Sequence, residues 1–296
     1  MIDLNAAAEQ IWLDTQADGP NISLEVLPET DSTNTQLLAR GRAGDTAPLL
    51  LAAYHQTAGR GRHGRQWIAQ PGDSLTFSLG LPLDLDQVPG GGSALSLAVG
   101  LAIAEALDAG LAGLPGPAQP PITLKWPNDL WWQQRKLGGI LIEATPAPGL
   151  AAGQRWVVIG VGINLRPQHD AAAPSLDHAC LQDIHAASTL SAGQVWTWIA
   201  PPLLRAVLRF ATEGFAPLQT AYAQRDVLAG QEVDLWQGAA HNALLRGAPT
   251  DTGRAHGVDK QGALLVHTDA GLQRWTTGDV SVRLAAPNPP SPTLPA

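Results

Sequence analysis

The chain is predicted to mix α-helix and β-strand in one large domain and to end in a small all-β one. The apolar spacing of residues 93–109, and again of 195–213, marks two long helices with a buried face. Short apolar runs bounded by turn signals supply strands between them. From residue 227 to 284 the helical spacing gives way to short strand-like runs separated by Gly and Asp turns, the pattern of a small β-barrel. A length of 296 residues accommodates both cores.

Taken in order, residues 1–19 read as one short helix, with Ile11 and Trp12 apolar, ending at Asp18-Gly19-Pro20. It is too short to hold a helix-turn-helix DNA-binding module. Residues 22–27 form a strand, and Asp31 or Ser32 caps a helix over 35–42 that Gly44 closes. Strands follow at 49–54 and 75–79, then the buried helix 93–109 with its proline-rich exit loop. Further strands are expected at 122–126, 139–144 and 156–162, with 128–135 as a hairpin turn. The second long helix continues weakly through 218–224. The barrel strands fall at 232–236, 264–268, 273–275 and 280–284, and the Pro/Ala tail 285–296 is expected to be disordered.

Bulk composition narrows the function. The net charge of −8 and a pI of 5.4 argue against a broad nucleic-acid-binding face. No apolar run approaches the roughly 20 residues needed to cross a bilayer, and acidic residues stand where a signal peptide carries Lys or Arg. A cytoplasmic protein without a membrane partner is expected. Cys180 is the single cysteine, so neither an internal disulfide nor a thiolate metal cluster is possible.

The most informative segment is GRGRHGRQW, residues 59–67. Gly59, Gly61 and Gly64 let the backbone fold back and aim N–H groups at an anion, while Arg60, Arg62 and Arg65 add forked donors for phosphate or carboxylate. Formally Gly59-x-Gly61-x-x-Gly64 fits a dinucleotide-binding fingerprint, but no amphipathic helix opens at Gly64 as that motif requires. A solvated surface loop is the bland alternative.

Other polar clusters surround this segment in the sequence. Lys125-Trp126-Pro127-Asn128-Asp129 sets a cation, an amide and a carboxylate at a strand end; a simple capped turn is its plain reading. Asn128 can both donate and accept, as base or ribose recognition requires. There are three lysines against fifteen arginines, and Lys125 and Lys136 share one short segment, which suggests sites wanting a compact point charge. Lys136 leads into the glycine pair Gly138-Gly139, and 160–165 ends a buried strand at Asn164. Ser32-Thr33-Asn34 offers hydroxyls and an amide, or simply caps a helix.

Together these pieces resemble the biotin protein ligases. ETDSTN, HQTAGRGRHGRQW, KWPNDL, RKLGGILIE and VVIGVGINL occur in that family's order, and GVDKQGALLV with W-x-x-G-D-V-S-V-R-L resembles its second domain. The likeness spans about residues 24–284 and is to the monofunctional class, without the repressors' DNA-binding domain. It implies an α+β fold: a mixed, mostly antiparallel sheet with flanking helices, similar to the class II aminoacyl-tRNA synthetase core, plus a C-terminal SH3-like barrel. The implied organisation is an extension at 1–20, a catalytic biotin/ATP domain at 21–228, the SH3-like domain at 229–285 and the tail at 286–296.

The implied activity is ATP-dependent attachment of biotin to a lysine of a biotin carboxyl carrier protein, through biotinyl-5′-AMP. ATP, Mg2+ and biotin are the small molecules required. No DNA partner is implied, and the protein is expected as a monomer or weak homodimer. By motif match, Ser32, Thr33, Asn34, Gln56, Gly59, Arg60, Gly61, Arg62, Lys136, Gly138 and Gly139 face biotin. Arg65, Trp67, Lys125, Asn128, Lys136 and Asn164 face the nucleotide. Lys136, Arg62 and Asp129 carry the chemistry, Asp129 by orienting or deprotonating the acceptor lysine; no metal ligands are assigned. A lipoate–protein ligase shares this core and chemistry, and a non-catalytic biotin or nucleotide sensor would share the pocket.

Overall fold

The computed structural model describes residues 2–16, 21–68, 70–167, 178–185, 190–237, 248–276 and 280–285. The tail expected to be disordered, 286–296, lies outside them, as do parts of the N-terminal extension.

A seven-stranded sheet runs in the order β1 (Ser23–Thr30), β2 (Leu49–Gln56), β3 (Ser74–Leu83), β7 (Arg155–Asn164), β6 (Arg135–Thr145), β5 (Asp129–Trp132), β4 (Thr123–Lys125). Only β1 and β2 pair in parallel. Its two faces differ because side chains alternate along each strand. On β7, Val157, Ile159, Val161 and Ile163 enter the main core, beneath α3 (Leu95–Ala112) and α5 (Ala192–Glu213). Each fully buried Leu, Ile or Val there contributes roughly 1.5–3 kcal/mol. Trp156 and Val158 point the other way, into a second cluster with Leu37 and Leu38 of α2 (Thr33–Arg42). The Trp156 indole donates to the Leu37 carbonyl at 2.8 Å, and Gly41 and Gly80 leave room for it.

α1 (Leu4–Thr15) packs against α5 and β1, capped by Asp3, whose carboxylate accepts from the Ala6 N–H at 2.8 Å. Contrary to the expectation of no membrane-length apolar run, Gly92–Ala112 is long and apolar enough to cross a bilayer, with mean hydropathy 1.7. Burial explains it: Val99, Ile103 and Leu107 are fully enclosed by the sheet and its neighbours.

Other differences from the sequence reading have local causes. Residues 128–135 are not merely a turn, because β5 takes up half of them and β6 begins at Arg135. The reversal falls on Gln133 and Gln134, both at positive φ (46° and 62°) without a glycine to announce it. α2 starts at Thr33, and Ser32 at its N-cap makes no side-chain cap bond. Instead the Asp31 carboxylate accepts from the Ser32 N–H at 2.6 Å and from Gln36 Nε2 at 3.0 Å.

The second sheet is antiparallel, in the order β11 (Gly271–Trp275), β10 (Leu264–Thr268), β9 (Asp251–Val258), β8 (Glu232–Gln237), β12 (Val280–Leu284). Val233, Leu235, Ala255, Leu264, Val266, Val280 and Val282 line its interior, giving the SH3-like unit. β9 escaped the sequence reading because DTGRAHGV buries residues only near its end. The two sheets are joined through α6 (Gln219–Ala223) and the chain after it. Trp126 Nε1 donates to the Gly262 carbonyl at 3.1 Å, and Gln219 Nε2 to that of Val258 at 2.7 Å. The Trp126–Pro127 peptide bond, in the connection between β4 and β5, is cis.

Candidate active site

Residues 59–67 fold as a small hairpin. The Trp67 N–H donates to the Gly59 carbonyl at 2.9 Å, Arg60 bridges Gln66, and the Gly61 N–H donates to the Arg65 carbonyl at 2.8 Å. His63 and Gly64 turn the tip with positive φ (59° and 72°). Gly59 is required because any Cβ there would collide with the Trp67 carbonyl. A hairpin followed by a strand is not the strand-to-helix turn of a dinucleotide fingerprint, so that reading falls.

Three anchors press the hairpin onto the sheet. Arg60 grips Glu143 of β6 with both fork nitrogens, at 2.9 and 3.1 Å. Arg62 Nη1 donates to Asn128 Oδ1 at 3.2 Å. The Trp67 ring covers Gly162 and Gly139, and a Cβ at Gly162 would sit 2.5 Å from the indole. The face of β7 that carries Trp156 and Val158 thus loses its side chains at Gly160 and Gly162, where Asn34 and Trp67 take the space. Glycine on that face is what opens the sheet surface.

Between hairpin and sheet lies a cavity of about 650 Å³, within the range of small-molecule sites. One end is polar: Gln56 Oε1 accepts from the Thr33 N–H (2.7 Å) and hydroxyl (3.1 Å). Ser78 Oγ lies 2.7 Å from both Thr33 Oγ1 and Asn34 Oδ1. The other end is cationic. Lys136 Nζ donates to Asp129 Oδ1 at 2.8 Å, and Lys125 lies 4.7 Å from the centre of the Trp131 ring. Burial pushes the Lys125 ammonium down to about 8; Asp129 opposes that shift, while Lys136, Arg283 and Arg65 add to it. Lys136, Arg283 and Arg65 are thus all close enough to act on Lys125, and among the described residues Asp129 is the single carboxylate lining the cavity. Such a site is built to receive negative charge.

Most of the sequence-derived residues meet here: Ser32, Thr33, Asn34, Gln56, Arg60, Gly61, Arg62, Arg65, Trp67, Lys125, Asn128, Asp129, Lys136, Gly139 and Asn164 all line the cavity. Gly138 does not. Strand alternation turns it away from Gly139, so a Cβ there would meet Ile163, Leu130 and the Gly162 carbonyl. Gly59 also lies outside, serving the hairpin itself. Asn34 and Asn128 line the cavity with their amides already engaged: Asn34 Nδ2 donates to Glu143 (3.0 Å) and the Leu141 carbonyl (3.3 Å), and Asn128 Nδ2 to the Ile140 carbonyl (2.8 Å). Asn164 Nδ2 donates to the Ala179 carbonyl at 3.0 Å, while its buried Oδ1 has no partner among the described residues.

Sequence reasoning missed Arg283, His178 and Ser78. Arg283 was read only as a barrel residue, yet β12 brings it to the cavity mouth. His178 follows a stretch with no pattern, and its backbone bridges Lys136. Cys180, beside it, is buried with its thiol pushed up to about 11, chiefly by burial, which makes it a poor nucleophile.

Comparison with known proteins gives this geometry its family. The profile of the Biotin/lipoate A/B protein ligase family matches residues 26–164, and that of the Biotin protein ligase C terminal domain matches 242–283. The bifunctional ligase/repressor BirA of Escherichia coli is 34% identical over 271 residues, covering 91% of this chain and 76% of that protein. This chain belongs to the biotin protein ligases. Among other family members, the biotin–[acetyl-CoA-carboxylase] ligase of Mycobacterium tuberculosis is 33% identical over 258 residues, 87% of this chain and 88% of its own. The biotin protein ligase of Aquifex aeolicus, solved in complex with biotin and ATP, superposes with a TM-score of 0.69 at 26% identity, covering 88% of this chain and 99% of that one. As a biotin protein ligase, the chain has the fold its motifs implied.

Proposed function

We propose that this protein attaches biotin to a lysine of a biotin carboxyl carrier protein, using ATP and passing through biotinyl-5′-AMP. The observation that carries the reading is one cavity with a neutral hydrogen-bonding end and a cationic end. A biotin ring needs the first, and the reacting carboxylate and phosphates need the second.

In the first step a biotin carboxylate oxygen attacks the α-phosphorus of ATP, and the bond to pyrophosphate breaks. Both partners are anions, so cations stabilise the charge that spreads as they meet. Lys136 holds the carboxylate and α-phosphate together, and Arg62 grips the same region from the hairpin. Lys125, Arg65 and Arg283 balance the remaining phosphates. Ser32, Thr33, Gln56 and the Arg60 backbone hold the ureido ring; with its Oε1 taken by Thr33, Gln56 offers its amide donors. Asn164 Oδ1 accepts from the nucleotide, and Trp67 walls the cavity at its centre.

In the second step the carrier lysine's amine attacks the acyl carbon, AMP leaves with the bonding pair, and the amine sheds a proton. Asp129 orients that amine and receives the proton. The hairpin keeps water from the mixed anhydride meanwhile. Mg2+ arrives on ATP: among the described residues no group of three His, Cys, Asp or Glu side chains is arranged to hold a metal, and Mg2+ is commonly held through substrate phosphates. Residues 21–228 act as the catalytic domain and 229–285 as the SH3-like one. The reaction is placed in the cytoplasm, where ATP and the unmodified carrier meet, with the enzyme a monomer or weak homodimer.

Incubation with biotin, ATP and an apo carrier domain tests this: a mass increase of one biotinyl group on a single carrier lysine is expected. ATP–pyrophosphate exchange stimulated by lipoate and not by biotin would replace the reading with lipoate ligation. Binding of both small molecules with no exchange would make the protein a sensor.

A further inference from the structure

We infer that Glu143 is a positioning residue that latches the 59–67 hairpin closed over the cavity through Arg60. Nothing in the proposed chemistry uses this carboxylate, yet it is held from two sides. Arg60 meets it with a fork, Nη2 to Oε1 at 2.9 Å and Nη1 to Oε2 at 3.1 Å. From the sheet side, Asn34 Nδ2 donates to Oε2 at 3.0 Å. Asn34 is itself buried, with Oδ1 against the fully enclosed Ser78 hydroxyl.

An exposed ion pair contributes little when both side chains must be ordered to form it. Here the carboxylate is already fixed by a buried amide, so only Arg60 loses freedom. The two-pronged geometry adds strength that a point contact lacks. The position matters as much. Arg60 sits at the stem of the hairpin, Arg62 beyond it toward the tip, so releasing Arg60 frees the segment that bears Arg62. The same buried network runs through Ser78 to Thr33 and Gln56, which line the polar end of the cavity. Occupancy of that end and closure of the hairpin therefore act on one set of hydrogen bonds. Resting on the proposed function, the latch prolongs the stay of biotinyl-5′-AMP.

Glu143→Gln keeps the size and can still accept from Asn34, but it loses the charge and offers Arg60 a single acceptor. In the ligand-free protein, amide exchange across 59–67 is expected to quicken about five- to tenfold, the scale of one well-made pair, with β6 and β7 unchanged. An unchanged hairpin, or equal acceleration through β6 and β7, would overturn the latch. Arg60→Lys should mimic the effect, and the double variant should match either single one; additive acceleration would refute the pairing. In Glu143→Gln, release of preformed biotinyl-5′-AMP should rise by a similar factor while kcat for adenylation stays within about twofold, and unchanged release would refute the retention role. If the parent protein makes no adenylate, the proposed function fails, while the exchange data still judge the latch.

Discussion

Lys136 and Asp129, on neighbouring strands β6 and β5, form a 2.8 Å ion pair at the cationic end of the cavity. The pair fixes the ammonium group in place before substrate arrives, since a tethered lysine has less freedom to lose on binding. It also leaves Asp129 within reach of whatever replaces that contact.

Lys136→Ala should therefore cost adenylation about 10²-fold, the scale of losing one transition-state charge partner. It removes the cation and leaves Asp129 facing the incoming phosphates. Transfer from preformed intermediate to the carrier should suffer less. Single-turnover measurement of each step separates them; equal losses would reassign Lys136 to general binding.

Arg62→Gly removes the hairpin's contact with Asn128 and its charge over the reacting groups. Biotinyl-5′-AMP should escape and label surrounding lysines indiscriminately. Mass spectrometry of labelled peptides in a mixture of carrier and bystander proteins reads this out, and undiminished carrier selectivity would count against closure by Arg62.

Gly162→Ala tests whether the glycine face makes the cavity. The new Cβ would press on the Trp67 indole, 2.5 Å away, and the ring can move only into the cavity or off the sheet. Biotin and ATP affinity should fall at least about tenfold, whereas thermal stability changes by only about 1 kcal/mol because the strand's core side is untouched. Calorimetric titration beside a thermal melt distinguishes a blocked site from a damaged sheet.

Lys125 predicts a proton-linked signature. Its folded value of about 8 lies below the ordinary 10.5, so between these values the folded protein has already shed a proton that the unfolded chain keeps. Its contribution to stability therefore rises with pH across that window and is a cost below it. Bound polyphosphate favours the charged form, so ATP binding near pH 8 should take up protons. Titration calorimetry in buffers of different ionisation enthalpy measures the uptake, which Lys125→Met should abolish.

Asp226 lies where the chain passes from the first sheet to the second. Burial pushes its carboxyl up from 3.8 to about 6, against hydrogen bonds from the Leu228 and Ala229 N–H groups. Between those values the folded form holds a proton that the unfolded chain has lost. The group's contribution thus falls as pH rises through the window, and it is a cost at pH 7. Asp226→Asn keeps an acceptor for the Leu228 N–H, 2.9 Å away, and should stabilise by about 1–3 kcal/mol at pH 7. Urea unfolding at neutral pH, and again near pH 4 where the gain should shrink, checks the sign.

Periodicity carried the long helices and the strands with buried runs, because 157–163 and 95–107 are apolar wherever their own geometry needs them to be. Composition also marked the 59–67 hairpin, where glycine and arginine occur for reasons confined to that segment. Turns and strands without such a local mark stayed hidden: Gln133 and Gln134 adopt positive φ because β5 and β6 require it, and β9 turns inward the polar or small residues Asp251, Gly253, Ala255 and Gly257, so its alternation does not show as a hydrophobic one.

The residue types of the site, and their order along the chain, were fixed by the amino-acid sequence alone. Tertiary structure decided which of them share a face and which are already spoken for. It turned Gly138 into the core and Gly139 toward Trp67, committed Asn34 and Asn128 to internal hydrogen bonds, and carried Arg283 from a second sheet to the cavity. These outcomes depend on strand register and on the packing of segments from a dozen to more than a hundred residues apart, and a side chain's partners across such distances are set by the fold and not by its neighbours in the chain.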